Sequence, residues 1–80
     1  MKPMRLTSID LSKNRYRDYY IHEFEDLFGK YVLEMMWGRI GRKGQTLTKN
    51  FDSADERSRY KERVLKVRKR HHYLESGEPF

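Results

Sequence analysis

The chain has 80 residues, 36% of them hydrophobic, and its 18 Lys and Arg exceed its 12 Asp and Glu to leave a net charge of +6. So short a chain buries only about 60% of the surface its unfolded form exposes, which allows one domain with one core, and four Phe, six Tyr and one Trp supply the large side chains for it. Without cysteine there are no disulfides and no thiolate zinc ligands. No signal-peptide core or run of about 18 apolar residues occurs, so a soluble, cytoplasmic protein without a membrane partner is expected.

Arg5 to Leu11 reads as a first strand, and Ser12-Lys13-Asn14 then breaks the pattern with turn chemistry. Tyr19 to Glu25 is rich in aromatic residues and reads as a second strand, closed by Asp26-Leu27-Phe28-Gly29, where Gly29 suits the positive φ of a hairpin loop. Tyr31 to Ile40 is the most strand-like stretch, followed by the glycine-bounded turn Gly41-Arg42-Lys43-Gly44 and a fourth strand over Gln45 to Phe51. Ser53 and Glu56 then form a capping box that starts a helix. Tyr60, Val64 and Val67, widened by Leu65, give this helix an apolar stripe amid Lys and Arg. The expected fold is α+β: an antiparallel sheet of about four strands followed by one amphipathic basic helix packed on the sheet. Residues 1–80 form one domain, and residues 75–80 are expected to fray.

The positive balance favours polyanions through its long-range field. Side chains two apart on a strand share a face, so Trp37 and Arg39 lie together unless Gly38 is a bulge. An indole that stacks on a base or sugar beside a guanidinium that pairs with phosphate suits nucleic acid; a core position for the lone Trp is the alternative. Arg42 and Lys43 at a loop tip, and Lys66, Lys69 and Arg70 at the helix end, are the further candidate contacts, each with a solvated surface as the plain alternative.

Trp37-Gly38-Arg39-Ile40-Gly41 followed by Gly44-Gln45, the upstream Tyr19-Tyr20, Phe51 and a downstream basic helix resemble the WGR domain family. That family occurs beside the catalytic domain of DNA-damage-sensing poly(ADP-ribose) polymerases and as stand-alone bacterial proteins. The resemblance implies a strand-rich domain capped by a helix that binds DNA near a break, with Trp37 as the stacking residue. For Arg39 it implies contacts between domains, which leaves phosphate binding or a hydrogen bond within the fold as its roles in this chain.

Three rival patterns carry less. Ile40-Gly41-Arg42-Lys43-Gly44-Gln45-Thr46-Leu47 fits the GxxG loop of KH domains, but that loop joins two helices. His71 and His72 are adjacent, so on a helix they point about 100° apart and cannot chelate one metal; they read as helix-end cations. Glu23 and Glu25 share a strand face and read as an exposed pair rather than catalytic carboxylates. The sequence thus points to a non-enzymatic nucleic-acid-binding module without cofactor or metal. DNA is the expected partner, at the nucleoid if the cell is bacterial, and a monomer is the expected form. The alternative is an adaptor whose basic face docks an acidic protein.

Overall fold

A computed structural model describes residues 3–75 of the chain. Strands β1 (Met4–Asp10), β2 (Arg15–Glu25), β3 (Tyr31–Arg39) and β4 (Gln45–Phe51) precede the helix α1 (Ala54–Arg70), and the two-residue strand β5 (Leu74–Glu75) follows it. All pairings are antiparallel in the order β4-β3-β2-β1-β5. The expected α+β arrangement is therefore present, with five strands in place of about four. A strand as short as β5 has no periodicity to detect, and Glu75, expected to begin a frayed tail, pairs with Leu6. Residues 76–80 lie outside the described residues.

Strand alternation places Leu6, Tyr19, Ile21, Leu33 and Met35 on the face that α1 covers, all of them buried. Burying a large apolar side chain contributes about 1.5 to 3 kcal/mol, so these positions carry most of the favourable term. Helix residues Tyr60, Val64 and Leu65 pack against this cluster from above, with Phe51 5.5 Å from the Tyr60 ring.

The helix begins as its sequence indicates: Ser53 is extended, and its hydroxyl accepts the Glu56 amide at 3.2 Å. Its apolar stripe ends sooner than expected. Val67 is 37% exposed, because the row Tyr60, Val64 continues into Arg68, whose guanidinium lies 4.9 Å from the Tyr19 ring. Arg57 and Lys61, also on the inner side, pair with Glu23 on β2. The Glu23 side chain is only 13% exposed, which corrects its reading as half of an exposed pair; Glu25 is exposed.

Loop chemistry fixes the strand ends. Leu11–Lys13 makes a 3-10 turn capped by Asp10, and Asn14 takes a left-handed φ of 50°, so β1 stops one residue short of Leu11 and β2 starts four residues before Tyr19. Asp26 shapes the β2–β3 hairpin by accepting the Phe28 and Lys30 amides, both at 2.9 Å, and Gly29 takes the expected positive φ of 76°. Trp37 and Arg39 face Tyr19 and Arg17 in an unbroken ladder, so Gly38 is no bulge.

Candidate nucleic-acid interface

Antiparallel connectivity gathers the end of β3, the start of β4, the start of β2 and the last turn of α1 at one end of the sheet. The turn between β3 and β4 is built on close backbone approach. A Cβ on Gly44 would lie 2.0 Å from the Trp37 carbonyl oxygen, and one on Gly38 would lie 2.9 Å from the Gly44 Cα. Gly41 supplies a φ of 82°, the Arg42 amide donates to the Arg39 carbonyl at 3.0 Å, and the Ile40 amide donates to the Tyr16 carbonyl at 2.8 Å. This loop joins strands, not helices, which removes the KH reading.

Trp37 is half-buried on the helix side of the sheet and stacks on Tyr19 with ring centroids 5.7 Å apart and planes 17° apart. Tyr19 meets Tyr73 edge-on at 6.2 Å, and the Arg68 guanidinium sits over both tyrosines, at 4.9 Å and 5.7 Å. The lone tryptophan is thus both a partner of the core and part of the surface.

Burial pushes the Tyr19 phenol above its ordinary value of 10.0, with Arg68 pulling the other way. A folded-state pKa above the unfolded one gives stability that is present below the unfolded value and lost as pH rises through the folded one. The chain should therefore lose stability on the alkaline side, above about pH 10, and Tyr19→Phe should move that loss to higher pH. Tyrosinate absorbance followed together with circular dichroism checks this. An unchanged alkaline midpoint in the variant would show that Tyr19 is not the trigger.

The cations named from sequence share this end but occupy different sides of it. Arg39 donates through Nη1 to the Asn14 carbonyl at 3.3 Å and lies 5.3 Å over the Tyr16 ring, tying the end of β3 to the left-handed turn before β2. Arg42 and Lys43 are exposed beside a cleft on the uncovered face of the sheet, lined also by Tyr20, Met36 and Thr46. Lys66 and Lys69 border a groove along α1 with Phe51 and Leu65. Arg70 faces away from that groove, into a pocket shared with Arg15, Arg17 and Arg68. Sequence reasoning misses these three partners of Arg70. The alternation in Arg15-Tyr16-Arg17 puts both strand arginines on one face, a signal hidden by starting the second strand at Tyr19.

Charge is distributed unevenly along the molecule. Asp26, Asp52, Asp55 and Glu56 lie around the β2–β3 hairpin and the start of α1, where Asp52 pairs with Lys30 and Asp55 with Arg59. At the opposite end, Asp10 is committed to Ser12, at 3.1 Å from the amide and 2.6 Å from the hydroxyl, and Asp18 to Arg5 at 3.6 Å. Among the described residues, no ion pair neutralises Arg42, Lys43, Lys66, Lys69 or Arg70.

The family model described as the WGR domain matches residues 3–79, and the chain belongs to that family. The family is known as a nucleic-acid-binding module of poly(ADP-ribose) polymerase-like proteins, a binding domain and not a catalytic one. No curated protein and no solved structure matches the sequence. No helix among the described residues is long and apolar enough to cross a membrane.

Proposed function

We propose that this chain is a non-enzymatic DNA-binding module that engages the sugar-phosphate backbone with little regard to base sequence. The observation that carries the reading is the gathering, around a half-exposed indole at one end of the molecule, of cations that no ion pair of the described residues neutralises. Arg42 and Lys43 on the loop, and Lys66, Lys69 and Arg70 on the helix, supply phosphate contacts, which position a protein without reading bases. Trp37, half-buried against Tyr19, offers the rest of its surface to a base or sugar at a strand end. Arg39 holds the motif to the Asn14 turn, and that hydrogen bond supports the fold-stabilising role over the phosphate-binding one.

Fluorescence anisotropy against blunt, nicked and single-stranded oligonucleotides at two salt concentrations tests the proposal. Binding should weaken with salt, and Lys66→Glu with Lys69→Glu should lower affinity evenly across sequences. For every phosphate that is no longer neutralised, the slope of log K against log salt should fall by about 0.9 on duplex DNA. Absence of binding even at low salt would overturn the reading. It would then favour docking of an acidic protein segment, for which the groove that places Phe51 and Leu65 beside Arg59, Lys66 and Lys69 has suitable chemistry.

A further inference from the structure

The pocket at the C-terminal end of α1 is formed by three local features. Arg15 and Arg17 alternate onto the helix-facing side of β2, and Ser8, 2% exposed, lies opposite Arg17 on β1. The chain then leaves the helix through a Schellman turn: the Tyr73 amide donates to the Arg68 carbonyl at 3.0 Å and the His72 amide to the Lys69 carbonyl at 3.1 Å. This folds His71 and His72 over the arginines and closes a pocket of about 200 Å³ lined by Arg15, Arg17, Arg68, Arg70, His71 and His72.

Among the described residues no carboxylate lines this pocket, and none lies within 4 Å of its four arginines. Asp10 stands opposite Arg15 in the ladder but is occupied by Ser12. The guanidinium of Arg68 is held between Tyr19 and Tyr73, and its Nε is buried without a hydrogen-bond partner. The negative end of the helix dipole amounts to about half a charge, far less than four guanidinium groups carry. The backbone points the same way. His72 takes a φ of 68° at the position of a Schellman turn where glycine is favoured, so the chain keeps an imidazole at the pocket mouth despite the strain.

We infer that this pocket seats one phosphate group, its oxygens taken by the forked donors of the arginines. The group arrives either free or as part of a nucleic acid. The inference is separate from the contacts of Lys66 and Lys69, which lie in the groove on another side of the helix.

The test titrates the isotopically labelled full chain with inorganic phosphate, against chloride at equal ionic strength, by nuclear magnetic resonance. Saturable shifts of the Arg68 side-chain NH and of the His72 and Tyr73 amides are expected with phosphate only. Arg17→Gln with Arg70→Gln, both at exposed positions, should weaken phosphate binding at least tenfold without unfolding the chain, whereas Lys66→Gln with Lys69→Gln should leave it unchanged. His72→Gly should raise Tm and weaken phosphate binding together, a combination that a purely structural turn would not give. Equal, unsaturable shifts with phosphate and chloride would overturn the inference, even if the chain binds DNA. Saturable phosphate binding without DNA binding would uphold it and refute the DNA reading. Duplexes with and without terminal phosphates then distinguish the source. Loss of affinity in R17Q/R70Q for phosphorylated ends alone assigns the pocket to a chain terminus, and equal loss for both assigns it to the backbone. No effect of R17Q/R70Q on either duplex would leave free phosphate as the ligand.

Discussion

Gly44→Ala should destabilise the chain by about 3 kcal/mol, at the upper end of what overpacking costs. The added methyl would meet the Trp37 carbonyl oxygen at 2.0 Å and its carbon at 2.7 Å. Both atoms belong to the backbone of a paired strand, so no flexible side chain can move aside. For a domain of this size that loss corresponds to a fall in Tm of roughly 12 to 24 °C. Gly41→Ala is the comparison: its φ is 82°, but a Cβ there meets nothing within 4 Å, and the backbone penalty alone is about 1 to 2 kcal/mol. Thermal unfolding of the two variants separates close approach from backbone strain. A G44A midpoint equal to or above that of G41A would mean that the close approach costs no more than backbone strain alone and that the Gly38–Gly44 contact does not fix the motif.

Removing one carboxylate should be nearly as damaging. Glu23 holds Arg57 at 3.6 Å and Lys61 closer still, with side-chain exposures of 13%, 12% and 23% for the three. Glu23→Ala would leave two cations under the helix with no counter-charge, a change that costs about 3 kcal/mol when the pair is buried. Glu23→Gln keeps the shape and should lose most of the same stability, because charge and not volume is missing. Urea unfolding measures both. A loss below about 0.5 kcal/mol for E23A would place the network among ordinary surface ion pairs. In a domain whose total stability is on the order of 4 to 12 kcal/mol, either variant removes a large share.

The two positions also show what a linear reading of the chain can reach. Ser53 and Glu56, Gly29 and the alternation of β3 were legible because each is a local rule, satisfied by neighbours within a few residues. Glu23 was not legible: its partners Arg57 and Lys61 come from a helix more than thirty residues on, and only the seating of α1 over β2 brings them together. Arg68 shows the same limit. A helical wheel sets it between Val64 and Leu65, but its charge reads as polar surface, and it keeps its place in the buried row because two tyrosine rings receive its guanidinium. For the candidate site, sequence named Trp37 and the basic residues but not how they lie relative to one another. The structure distributes them around the end of the sheet, because residues 66 and 69 on the helix face one way and residue 70 another. The motif glycines were visible as turn formers. That two of them press their backbones together follows only from the return of β4 beside β3.

The molecule measures 45 × 23 × 20 Å, and the eleven residues of β2 run about 36 Å along it. On the proposed DNA reading, the cations at one end of this rod would bring a polyanion to its tip. A module standing on duplex DNA in this way would cover a patch about 23 Å across, or roughly seven base pairs at 3.4 Å each. Neighbouring copies could then stand side by side along a duplex, their hairpin ends pointing outward. Occupancy along the helix would then be set by the width of each foot.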